Sequence, residues 1–181
     1  MKKILDNSAV SSMGKEIACI DALNLLSSHY DVLITNAVLK ECENGDNKPL
    51  FDRIKKYPLA VKEDEMFEKL LVAIQMMNRK LGPGEINSIA ASIILSSKNI
   101  DNYVVIDERL GRKIVKSIHL NPTITKIMGG EIKPIKCAGT IGIIAHLRDK
   151  GVISKETCYK IAYDLEISNF RATDELLALL R

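Results

Sequence analysis

Two short apolar runs in this chain stop at a carboxylate. KIL at residues 3–5 is followed by Asp6, and VVI at 104–106 by Asp107, with basic residues close behind. Two more acids fall within helical patterns, one of them in a first turn. Glu41 lies in NAVLKECEN, just after the apolar triplet at 32–34, and Glu85 follows Gly82-Pro83-Gly84. Carboxylates that meet repel one another, and one takes up a proton unless a cation lies between them. A hard divalent cation is the natural partner, because it favours oxygen ligands. Each acid also has a plainer explanation. An Asp after a strand is a common helix cap or turn residue, and a Glu in a first helical turn suits the positive end of the helix. Glu41 has Val38 and Ala37 at i−3 and i−4, so it borders an apolar face. Glu85 has Ser88 and Ser92 at i+3 and i+7, which leave room around its carboxylate. The residues alone leave both explanations open.

Bringing positions a hundred residues apart together is the work of the elements that carry them. Residues 3–5, 32–34, 59–61 and 104–106 are short apolar runs that predict buried strands, the last β-branched throughout. Helical spacing is predicted over 16–28, over 36–44 with Thr35 or Asn36 as cap and Gly45 as stop, over 63–80, from Glu85 onward with Ile86, Ile89, Ala90, Ile93 and Ile94 on one face, and over 109–117. Residues 118–137 contain Pro122, Pro134, Gly129-Gly130 and an alternating stretch at 123–127, and are expected to form an inserted hairpin or extended loop. Thr140 is expected to cap a helix reaching Lys150 and ended by Gly151, and Ser154 and Thr173 to cap two last helices. Short strands alternating with helices argue for an α/β domain of three layers, α/β/α, around a mostly parallel sheet. In such sheets ligands bind beyond the carboxyl ends of the strands, where Asp6 and Asp107 fall.

Composition narrows the choices. The 181 residues suit a single domain, 1–181, with a core large enough to need no staples. No window approaches the roughly 18 apolar residues of a membrane span, and the N-terminus has no signal-peptide pattern. Cys19, Cys42, Cys137 and Cys158 show no paired spacing, which favours reduced thiols in a cytoplasmic protein over disulfides or zinc. The overall charge of +3 is uneven, because Arg109 to Lys136 holds seven Lys or Arg against one acid, Glu131. Such a stretch suits phosphates, or is a solvated surface. Asp6-Asn7 lacks the adjacent acid pair of a response-regulator receiver, and Ser8 stands where a haloacid-dehalogenase-type phosphatase needs its second Asp.

The acids in their local settings resemble those of the PIN-domain nucleases, over most of the chain. ILDNSAV is similar to the family's first strand with its metal-binding Asp, ITNAVLKE to its second acid motif, LGPGEINSIAAS to the Gly-Glu helix opening of one prokaryotic, toxin-like branch, and VVIDERLGRK to its fourth motif, with Glu108 as a following acid. CAGTIGIIAHLRDKGVIS is similar to that branch's Gly-Thr helix, and RATDELLALLR to its closing helix. The chain between Val115 and Ala138 is longer than the family pattern.

The resemblance implies a metal-dependent ribonuclease with Mg²⁺ or Mn²⁺ held by Asp6, Glu41, Glu85 and Asp107, which are also the catalytic set. Ser8 and Thr140 would bond a metal-bound water or phosphate oxygen, with simple capping as the plainer role. Arg109, Arg112, Lys113 and Lys116 share one helical side and would hold the RNA backbone; Arg112 could instead fix its own loop. Aromatics make up 4% of the chain and none interleaves with these cations, which argues against a broad stacking platform. Relatives of this kind resemble the toxin halves of toxin–antitoxin pairs, which implies an antitoxin partner, and homodimers are common among them. The alternative is a PIN-like module that binds RNA or protein without catalysis; retention of all four acids favours the enzyme.

Overall fold

The computed structural model describes residues 1–168 and 170–181. Four parallel strands form one sheet in the order β2-β1-β3-β4, with β1 at Lys2–Leu5, β2 at Asp31–Leu33, β3 at Asn102–Val105 and β4 at Lys136–Ala138. Strands buried on both faces are apolar at successive positions rather than at every second one. Leu5 and Val105 point into one helical layer, while Ile4, Val104 and Ile106 point into the other. The first layer contains α1 (Asn7–Ser11), α2 (Ala22–His29), α9 (Thr140–Asp149), α10 (Lys155–Ile167) and α11 (Asp174–Leu177). The second contains α5 (Glu65–Met77), α6 (Pro83–Ser97), α7 (Arg109–Ser117) and α8 (Pro122–Met128). Helix α3 (Asn36–Asn44) and the short α4 (Phe51–Ile54) close the β2 end. The fold is the expected three-layer α/β/α arrangement.

Four local expectations need correction. Residues 16–28 do not form one helix. After α1 the chain makes a π-helical turn at Ser12–Glu16, then runs extended until Asp21 caps α2 by accepting from the backbone N–H of Asn24. The N–H groups of Ala18 and Cys19 both donate to the Asp164 carboxylate at 2.8 Å, so the backbone is satisfied there without a helix. Residues 59–61 are not a strand but a single parallel bridge between Ile34 and Leu59, beside Pro58, which has no N–H to donate. Helix α6 opens at Pro83 rather than Glu85, with Gly82 as its cap and proline in the first turn.

The segment 118–137 is neither hairpin nor loop. A 3₁₀ turn at Ile118–Leu120 leads into α8, which Asn121 caps by accepting from Thr123 and Ile124, and Gly129 ends it at φ +71° in the left-handed region. Ile124, Ile132 and Ile135 are buried in the second layer, and the chain then enters β4.

Between β1 and β3 the chain's path switches direction across the sheet, since β2 lies on one side of β1 and β3 on the other. That is where a parallel sheet opens a crevice at its carboxyl edge.

Candidate active site

Asp6 leaves β1 while still bonded to β3, its N–H donating to the Val105 carbonyl at 3.1 Å. Its carboxylate then caps α1, Oδ2 accepting from the Ser8 N–H at 3.4 Å and the Ser8 hydroxyl at 2.8 Å. The same hydroxyl oxygen accepts from the Asp107 N–H at 3.1 Å. Ser8 therefore ties the ends of the two central strands together, and Asp6 Oδ1 is left without a hydrogen bond among the described residues.

Asp107 is more fully committed. Oδ1 accepts from the Thr140 N–H at 2.6 Å, and Oδ2 from the Thr140 hydroxyl at 2.7 Å and the Ser12 hydroxyl at 3.0 Å. Ser12 shares its single proton between Asp107 and the Ser8 carbonyl, 2.9 Å away. Arg112 Nη1 donates to the carbonyls of Ile106 and Asp107 at 2.8 and 2.5 Å, fixing the turn from β3 into α7. Gly139 leaves room beside them: a Cβ there would stand 2.8 Å from Asp107 Oδ1, which Thr140 holds in place, so that carboxylate would have to shift.

Glu41 reaches in from α3. Its Oε1 accepts from the Gly84 N–H at 2.7 Å, at the start of α6. A Cβ on Gly84 would lie 2.5 Å from Glu41 Oε2 and 3.0 Å from Asp6 Oδ1, so both carboxylates crowd the space that this glycine leaves open. Glu85 caps its own helix, Oε2 accepting from the Gly82 N–H at 2.9 Å. Its Oε1 is buried, has no partner, and lies against the bare backbone of Gly111.

The charges are strained accordingly. Burial pushes the Asp6 carboxyl up to about 7; Ser8 opposes the shift, and the charges of Glu85 and Glu41 add to it. Burial also raises Glu85, with Glu108 and Glu41 adding. Glu16, at the end of the π-helical turn, is raised by burial and then by Asp107, and its buried Oε2 has no partner.

The structure thus groups Asp6, Glu41 and Glu85 around one cavity, with Glu108 at its edge. Asp107 lines the adjoining cleft with Glu16, and Ser8, Ser11 and Glu108 belong to both. Among the described residues no group of three or more His, Cys, Asp or Glu side chains is arranged to hold a metal ion. The donors nevertheless suit a hard cation: they are carboxylate oxygens, two of them (Asp6 Oδ1 and Glu85 Oε1) lack a hydrogen bond, and their crowding disfavours full ionisation.

Two expected substrate contacts take other roles. Thr140 is 0% exposed and holds the Asp107 carboxylate with both N–H and hydroxyl, so it faces no solvent. Arg112 clamps backbone carbonyls instead of standing free. Arg109 lines the Asp107 cleft, whereas Lys113 and Lys116 are exposed on α7 and line neither space. The residues that sequence reasoning missed are Glu16, Ser12, Phe170 and Arg171. The cap at Thr173 and the resemblance of RATDELLALLR to a closing helix marked that last neighbourhood without giving it a role, and nothing local signalled that Glu16 lies beside an aspartate 91 positions away.

A family model described as a PIN domain matches residues 11–126, more than half of the chain. The chain belongs to the PIN-domain family, whose members are in general nucleases that use divalent metals. The matched span contains Glu41, Glu85 and Asp107, while Asp6 and Thr140 lie outside it. No curated protein and no solved structure matches the chain. Among the described residues no helix is long and apolar enough to cross a membrane.

Proposed function

We propose that this chain is a ribonuclease that hydrolyses RNA phosphodiester bonds with Mg²⁺ or Mn²⁺. The observation that carries the reading is the meeting of Asp6 and Glu41 at Gly84, beside the unpartnered oxygen of Glu85. Three carboxylates from three separate elements line one cavity, and among the described residues no Lys, Arg or His lines it with them. That arrangement is unfavourable for a fold by itself and is relieved by a bound cation.

Asp6, Glu41 and Glu85 would hold the ion, with Asp107 from the adjoining cleft completing the set. When bound, such an ion activates water and stabilises charge on the phosphate. The chain's own contribution is orientation. Ser8 turns the Asp6 carboxylate so that Oδ1 faces the cavity, and Thr140 and Ser12 hold Asp107 at the strand end. Arg109, exposed at the cleft, supplies a cation for a backbone phosphate, and Lys113 and Lys116 extend that charge along α7.

The test is incubation of the purified protein with labelled RNA in Mn²⁺ and in EDTA, with Asp6→Asn beside it. Cleavage in Mn²⁺ alone, absent from the variant, is expected. Equal cleavage in every tube, or none in any, removes the reading in favour of a module that binds without catalysis. The sequence resemblance extends the proposal to the toxin half of a toxin–antitoxin pair. Growth arrest on expression, relieved by Asp6→Asn and by an adjacent small partner gene, is the expected result there.

A further inference from the structure

The cleft beside Asp107 has a second wall that the carboxylate chemistry leaves unused. One side carries Glu16, Asp107 and Glu108; the other is built by the C-terminal segment, with Phe170, Arg171 and Leu176. The cleft encloses about 460 Å³, within the range of sites that hold a small ligand. Among the described residues Phe170 is the one aromatic lining this cleft or the neighbouring cavity. It is half-buried and packs against the first core layer, while lining the cleft as well. Its backbone is pinned on both sides, its N–H donating to the Ser168 hydroxyl at 3.1 Å and its carbonyl accepting from the Ala172 N–H at 3.1 Å. Both bonds lie within the segment itself, and the ring's contact with the core is what seats it at the cleft.

Two exposed arginines, Arg109 and Arg171, line the same cleft, and neither takes part in an ion pair among the described residues. The arginines at 53, 148 and 181 are each paired with an acid. Arg171 follows the ring directly in sequence, whereas Arg109, more than sixty residues away, is brought to the same cleft only by the fold. An acidic peptide would engage the guanidinium groups and leave the ring without a specific role. A nucleotide engages both, its base stacking on an aromatic face and its phosphates meeting the arginines. Duplex bases are already stacked on one another, so the ring requires an unpaired one.

We infer that Phe170 and Arg171 form a nucleotide subsite for single-stranded RNA, with the ring stacking on a base next to the scissile phosphate and Arg171 holding a flanking phosphate. The choice of ligand rests on the nuclease reading above. Phe170 and Arg171 are positioning residues.

The experiment measures binding without turnover. The Asp6→Asn chain is titrated with fluorescein-labelled single-stranded RNA, with the same RNA as a duplex, and with a series carrying one abasic position each. Phe170→Leu keeps the apolar contact with the core and loses the aromatic face, so it is the informative variant; Phe170→Ala is run beside it, each with a thermal melt. Both should bind intact single strands about five- to a hundredfold more weakly. The abasic position that weakens the parent should have no further effect in Phe170→Leu. Arg171→Ala should lower the slope of log K against log salt by about 0.7, and Arg171→Lys should restore it. Duplex RNA bound as tightly as single strands, an abasic penalty that persists in Phe170→Leu, unchanged affinity in that variant, or no binding of RNA at all would each overturn the subsite. Cleavage by the unmodified chain separates the two claims. Binding that depends on Phe170 with no metal-dependent cleavage keeps the subsite and removes the nuclease, and metal-dependent cleavage indifferent to Phe170→Leu and Arg171→Ala does the reverse.

Discussion

Gly84 is the point where acids from two different elements meet, and adding one methyl group there perturbs the site with little cost to the fold. The added Cβ would lie 2.5 Å from Glu41 Oε2, where ordinary contact begins near 3.4 Å. The Glu41 carboxylate must therefore retreat by about 0.9 Å, and its 2.7 Å bond from the Gly84 N–H is lost or lengthened. Asp6, 3.0 Å from the same point, has less freedom because the Ser8 hydroxyl holds its other oxygen. The clashing groups are the ends of side chains, and alanine is favoured over glycine within a helix by about 0.8–1 kcal/mol. Gly84→Ala should thus melt within about 1 kcal/mol of the parent. A misplacement of about 1 Å at a reacting centre lowers rate by roughly a hundredfold, so kcat/KM on labelled RNA should fall on that order, with a weaker apparent affinity in a Mn²⁺ titration. Full activity with an unchanged metal dependence would refute the idea that Glu41 and Asp6 act together at this spot. A large fall in melting temperature would assign any loss to folding instead.

The pH dependence of stability provides a second check on the same crowding. The Asp6 carboxyl is raised to about 7, so it favours the fold while protonated; that contribution is intact below about 3.8 and is lost as the pH climbs through about 7. Asp6→Asn should therefore be more stable than the parent above pH 7, by up to about 4 kcal/mol, with the gap closing near the unfolded value in denaturant melts. Thr140→Val removes the buried hydroxyl that holds Asp107 and should cost about 1–3 kcal/mol along with much of the activity, while Thr140→Ser should retain both, as melts and cleavage rates will show. Lys3 is buried with its ammonium 3.9 Å from the Tyr103 ring centre and 4.6 Å from that of Tyr30, and burial lowers its pKa to about 8 against the pull of Asp101. A lowered base adds stability as pH rises from about 8 towards 10.5, because the unfolded chain still binds the proton; Lys3→Met should flatten the stability profile across that window.

Much of the site's framework was legible because it depends on local chemistry. The run KIL before Asp6 and VVI before Asp107 read as buried strands because a strand covered on both faces has no polar alternation to conceal it. Thr35, Ser154 and Thr173 read as caps because a hydroxyl that accepts from an N–H two or three residues on is a local event. The same chemistry stands at Asn121-Pro122, where cap, first-turn proline and terminal glycine mark α8, although the alternation at 123–127 has the period of an extended chain. Residues 16–28 failed for a different reason. The Asp164 carboxylate, some 145 positions away, satisfies the N–H groups that a helix would have satisfied, and no window on the sequence contains it.

Residue types alone place Asp6 and Asp107 after buried strands, at the carboxyl edge of a parallel sheet, with Glu41 within the helix after β2 and Glu85 in the first turn of α6. How those four divide is set by packing between distant elements. Glu41 meets Asp6 because Gly84 leaves room between α3 and α6, whereas Asp107 is turned aside by Thr140 and Ser12 toward Glu16, Phe170 and Arg171. The physical reason is range: caps and strand ends are set by contacts within a few residues, while the facing of one carboxylate toward another is set by packing between elements that the chain brings together only when the sheet closes.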